Sequence, residues 1–163
     1  MRWPMSNGRF LDPLRLQAYA QGEWVLLTDF RYRALDGTLY TAPKCFITDL
    51  ASTPWCVKPL FNDIEDREAG VIHDWLYCQN QIPRVVADAL FYEMLLALGA
   101  DQRRAALMYA GLRLGGGRRY AACAGGVKAE DLALALMDEP ERQAWAAVLQ
   151  AAPSVAGGRV ETF

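Results

Sequence analysis

The sequence predicts an α+β protein in which a small N-terminal antiparallel β-sheet precedes an antiparallel helical hairpin and further helices. Three observations carry this. The first fifty residues hold short runs in which apolar or aromatic side chains partly alternate with polar ones, the period of a half-buried strand. From Asp49 onward the strand pattern gives way to helix signals, and capping residues appear between the segments. The break Asn80-Gln81-Ile82-Pro83 is too short for anything but a reversal, so the helices on its two sides run antiparallel.

Leu14 to Tyr19 is the first expected strand and Trp24 to Tyr32 the second. Asp36-Gly37 suits a tight turn into Thr38 to Thr41, because glycine accepts the positive φ of hairpin turns. Cys45 to Thr48 closes the sheet. Ser52-Thr53-Pro54 reads as a helix start, a hydroxyl cap followed by proline in the first turn, and leads into a short helix or turn through Leu60. Asn62 or Asp63 then caps a helix from Ile64 to Gln79, with Glu65, Asp66 and Glu68 near its positive end. Arg84 to Leu98 carries Val86, Leu90, Met94 and Leu98 at helical spacing and ends at Gly99. A third helix, Asp101 to Leu114, stops at the linker Gly115-Gly116-Gly117. Residues 1–125 form the core domain; residues 126–163 form a C-terminal annex with helices over Lys128 to Met137 and Asp138 to Gln150, followed by a flexible tail.

Composition removes several classes of function. With 163 residues, 53% of them hydrophobic, the chain can bury a core of its own. The four cysteines, Cys45, Cys56, Cys78 and Cys123, share no Cys-x-x-Cys spacing, and only one histidine is present, so neither a zinc site nor a disulfide framework is signalled. A net charge of -2 with scattered arginines offers no face for a phosphate backbone, which argues against nucleic acid as a partner. The apolar runs are too short to cross a bilayer, and Met1-Arg2-Trp3-Pro4 lacks the pattern of a signal peptide.

The single histidine, His73, is therefore the default proton carrier near neutral pH. His73 and Asp88 lie at equal distances from the bend, roughly 11 Å each at 1.5 Å per residue, so they face one another across the hairpin. A carboxylate in that place fixes the tautomer of the imidazole and raises its basicity. Asp74 is rotated by about 100° from His73 and points to a different side.

His73-Asp74, Tyr77 one turn later and Asp88 on the antiparallel helix together resemble the helix pair of secretory phospholipases of the A-two type. That resemblance implies His73 as the base activating water, Tyr77 and Asp88 as its supports, and Asp74 as a calcium ligand; Asp49 or carbonyls near Ser52 are the candidates to complete such a site. The glycine-rich calcium loop and the disulfides of those enzymes have no counterpart upstream of His73. A broader resemblance rests on Phe46 to Pro54, Ala69 to Tyr77, and Ala87-Asp88 with Phe91 and Met94. Over roughly Leu14 to Tyr120 the chain is similar to the phage and prophage family catalogued as domain of unknown function 1353. Membership implies a place in the tail and lysis region of a viral genome, other phage structural proteins as partners, and location in the host cytoplasm during expression or in the virion.

Two functions follow. One is a virion-associated or tail-region accessory protein, in which His73, Asp88 and Tyr77 are a hydrogen-bond network that fixes helix packing. The alternative is a hydrolase of envelope esters or amides with His73 as general base. Asp49, Ser52 and Thr53 read more simply as turn and cap residues, Gly115 to Arg119 as a helix stop rather than an anion cradle, and Trp55, Trp75 and Tyr92 as core or rim aromatics.

Overall fold

The computed structural model describes residues 8–50, 60 and 66–151. Among these residues six strands come first: β1 Arg9–Phe10, β2 Leu16–Ala20, β3 Glu23–Leu26, β4 Phe30–Arg33, β5 Leu39–Ala42 and β6 Ile47–Thr48. Five α-helices among the described residues follow: α1 Arg67–Gln79, α2 Arg84–Ala97, α3 Gln102–Gly115, α4 Gly117–Ala122 and α5 Glu139–Ala151. The fold is α+β. The readings at Ser52-Thr53-Pro54, Trp55, Asn62-Asp63 and the C-terminal tail lie outside the described residues.

The strands form two three-stranded antiparallel sheets, ordered β1-β4-β5 and β2-β3-β6. The run Trp24 to Tyr32, expected as one strand, is divided between them. Leu26 ends β3 by donating its N–H to Phe46 and accepting from Cys45, and the Asp29 carboxylate then takes the Lys44 N–H at 2.8 Å. Those bonds turn the chain before Phe30, so that alternate residues Phe30 and Tyr32 enter the core from the other sheet. Gly37 adopts φ +88° in the expected turn between β4 and β5, where Asp36 also accepts the Thr38 N–H at 2.8 Å.

The helices depart from expectation at their ends. Among the described residues α1 runs from Arg67, with the Asp66 carboxylate making no cap bond to its own helix and paired instead with Arg104 of α3; the expected start at Ile64 lies outside them. Asp101 caps α3 through its side chain, accepting the N–H groups of Arg103 and Arg104. The glycine run after α3 is not a linker, since α4 starts at once from Gly117. A Cβ on Gly116 would stand 2.7 Å from the Tyr77 hydroxyl and 2.8 Å from the Leu112 carbonyl oxygen. The glycine is there so that α1 can approach the α3–α4 corner.

One hydrophobic cluster joins the sheets to α1, α2 and α3, with Phe30, Tyr32, Ile72, Leu76, Met94 and Met108 at its centre. The Tyr32 hydroxyl donates to Glu93 of α2 at 2.7 Å, and the same carboxylate takes the Leu35 N–H, which locks β4 to the hairpin. A second cluster forms where Leu132, Ala133 and Met137 pack on Val25 and Cys45. The helix expected over Lys128 to Met137 is there replaced by two short 3₁₀ turns, Ala129–Asp131 and Leu134–Leu136. Its backbone is spent on the sheet instead: Leu132 bridges Phe46 and the Ala133 N–H bonds the Cys45 carbonyl at 2.8 Å. Trp145 of α5 touches both clusters.

Asp66 is 1% exposed and its carboxylate pairs with Arg104, so Arg104→Met removes a cationic partner from a buried charge. Urea unfolding of this variant is expected to show a loss of about 1–3 kcal/mol.

Candidate functional site

The site sits where α1, α2 and α3 meet. His73 and Tyr77 are one turn apart on α1, a spacing that places both on the face turned to α2. Across the seam, Asp88 is wholly buried at 0% exposure. The His73 Nε2 lies 2.9 Å from Asp88 Oδ1, and the Tyr77 hydroxyl donates to the same oxygen at 2.5 Å. The hairpin thus brings together the three residues that the sequence nominates.

Two further partners escaped the sequence reading. Arg113 of α3 donates to Asp88 Oδ2 at 2.7 Å, and Arg84 reaches the same oxygen at 3.4 Å from one turn before Asp88 on α2. The Arg84 spacing to Asp88, i to i+4, is legible in sequence; the Arg113 contact depends on how α3 packs and leaves no local trace. Arg84 also donates to the Arg113 carbonyl, so the two arginines are tied to each other.

Burial of Asp88 pushes its carboxyl up, but hydrogen bonds from His73, Tyr77 and Arg113 outweigh that and hold it at about 2. At neutral pH it is therefore ionised and can only accept hydrogen bonds. His73 Nε2 must then carry a hydrogen, and in the neutral ring Nδ1 is left with the lone pair. Burial, followed by the neighbouring Asp88 charge, raises the Tyr77 phenol well above its usual range and keeps it a donor. The His73 ring also lies 4.2 Å from the Tyr77 ring and 5.1 Å from that of Phe91, centroid to centroid, and the residue is 6% exposed.

Asp74 points elsewhere, as its position on the helix requires. It accepts the Thr48 hydroxyl at 2.6 Å, joining α1 to β6. Burial pushes its carboxyl up to about 6, although the Thr48 hydrogen bond and the Arg119 charge pull the other way. Asp49, the second candidate metal ligand, lies 3.6 Å from Arg119. A guanidinium beside both carboxylates is a poor neighbour for a calcium ion, which takes six to eight oxygens. Among the described residues no three His, Cys, Asp or Glu side chains converge to hold a metal. Asp74 and Asp49 do not form a calcium cage with the residues described. Tyr92, read as a rim aromatic, packs edge to face on Tyr109.

A model of the family described as "Protein of unknown function (DUF1353)" matches residues 24–112, more than half of the chain. The chain belongs to this family. The DUF1353 span contains His73, Asp74, Tyr77, Arg84 and Asp88 and ends one residue before Arg113. Neither the curated proteins nor the solved structures searched contain a match to the chain.

The two carboxylates make opposite contributions to pH dependence. Asp88, lowered from 3.8 to about 2, stabilises the fold above pH 4, and this contribution is lost as pH falls toward 2. Asp74, raised from 3.8 to about 6, favours the fold most below pH 4 and does so less as pH rises through 6. Urea midpoints measured from pH 3 to 7 are expected to show Asp74→Asn gaining about 1–2 kcal/mol at pH 7 but little at pH 4. Gly116→Ala is expected to cost about 1–3 kcal/mol at any of these pH values, because the methyl collides with the Tyr77 hydroxyl and a backbone carbonyl.

Proposed function

We propose that this DUF1353 protein is a virion-associated or tail-region accessory protein of a phage or prophage, and that the His73–Asp88 network locks its helices together. The observation that supports this best is Asp88 itself. Its two oxygens take donors from α1, α2 and α3, its exposure is nil, and the imidazole bound to it is almost as deeply buried. A carboxylate so completely engaged serves as a keystone for packing. The phage setting rests on the motif resemblance at Phe46 to Pro54 and Ala69 to Asp88. Docking through a sheet edge is supported by β2, an outer strand whose residues Leu16-Gln17-Ala18-Tyr19-Ala20 carry no charge and are mostly exposed. No helix among the described residues is long and apolar enough to cross a membrane.

The hydrolase reading draws on one specific observation: Asp88 holds Nε2, so in the neutral ring the lone pair a general base needs is on Nδ1. His73→Gln and Asp88→Asn separate the two. For an accessory protein, both variants lower the melting temperature, by about 1–3 kcal/mol in stability, and the wild type hydrolyses neither phosphatidylglycerol vesicles nor p-nitrophenyl esters, with or without millimolar calcium. Hydrolysis by the wild type that disappears in a folded His73→Gln variant would sink the accessory reading. Mass spectrometry of purified particles from a lysogen encoding the chain is expected to detect the protein.

A further inference from the structure

A groove of about 710 Å³, lined by none of the side chains that bind Asp88, opens between the C-terminal end of α1 and α5. That size lies within the range of small-ligand sites, roughly 300–1,000 Å³. Its composition is unusual for this chain. Two indoles, Trp75 and Trp145, meet at 87° with their centroids 6.3 Å apart, and three consecutive carboxamides, Gln79, Asn80 and Gln81, follow along the rim. The rest is contributed by glycine, valine and alanine, and among the described residues no ionisable side chain lines it, although 22% of the chain is charged.

We propose that this groove binds a neutral oligosaccharide of pyranose rings. Each part of the lining matches one property of such a ligand. An indole face carries the negative side of its quadrupole, which attracts the C–H groups that cover one face of a pyranose. A carboxamide both donates and accepts, so it can bond two neighbouring hydroxyls at once. The absence of charge disfavours anionic sugars, nucleotides and phospholipid headgroups, whose charge would find no partner there. One of the carboxamides is held in place by the fold. Asn80 caps α1 in the left-handed region at φ +54°, and its side-chain nitrogen reaches the Tyr120 carbonyl at 3.3 Å, so α4 fixes the rim. Trp75 is anchored from behind by Phe46, edge to face at 5.1 Å, and stands only 5% exposed. Trp145 is more open and supplies the stacking surface. The site is independent of His73 and would serve an accessory protein and a hydrolase alike.

The test is a titration of the full-length protein with chitotriose and with maltotriose, followed by the NMR signals of the tryptophan indole N–H groups. Saturable shifts confined to Trp75 and Trp145 with at least one sugar are expected. Trp145→Ala should weaken that binding about tenfold, and Gln81→Ala about threefold with an unchanged melting temperature, since Gln81 is exposed. The Gln81 variant keeps the test decisive should loss of Trp145 loosen α5. No saturable shift with either sugar at about 10 mM overturns the proposal. So does an apolar dye that occupies the groove and is displaced by neither sugar, an outcome that would assign the groove to an apolar ligand or a protein partner.

Discussion

A single carboxylate organises the helical half of this protein. Asp88 has no access to water, so its charge must be met entirely by side chains, and the side chains that meet it come from three helices. Removing water raises the strength of each of these bonds and also the penalty for losing any of them. The angle at which α1, α2 and α3 cross is thereby set by polar geometry as well as by apolar packing. The glycines after α3 belong to the same arrangement, since Gly116 makes room for the Tyr77 hydroxyl and Gly117 lies against Arg84.

A second polar contact relates that bundle to the sheets. Where His73 faces the hairpin, its neighbour Asp74 faces β6 and takes the Thr48 hydroxyl, while Glu93 on α2 takes the hydroxyl of Tyr32 on β4. Adjacent residues on one helix thus serve two different interfaces, a direct result of the 100° step between them. The His-Asp dipeptide draws attention as a catalytic signature, yet each member has its own structural partner. The two candidate calcium ligands have neighbours of their own as well: Asp74 accepts the Thr48 hydroxyl and Asp49 lies beside Arg119.

Much of this was legible in the sequence because it depends on local rules. The hairpin follows from a four-residue break, and the pairing of His73 with Asp88 from symmetry about that break. The turn at Gly37 and the end of α2 at Gly99 follow from positive φ. What escaped was set by distant partners. Nothing near Arg113 in sequence announces Asp88, and nothing in Trp24 to Tyr32 announces that Phe46 and Lys44 will cut the run in two. The helix expected from Lys128 to Met137 failed for the same reason, since its backbone found hydrogen bonds at Phe46 and Cys45 that its own periodicity could not foresee. Periodicity reports which face is apolar and leaves open where the backbone finds its bonds.

The division of that one run between two sheets has a mechanical consequence. Only Leu27, Thr28 and Asp29 separate β3 from β4, and Leu27 and Asp29 are pinned by bonds to Arg15 and Lys44. So short a segment, held at both ends, leaves little slack, and neither sheet can open far without pulling on its neighbour. The two small sheets, each marginal by itself, therefore behave as one cooperative unit.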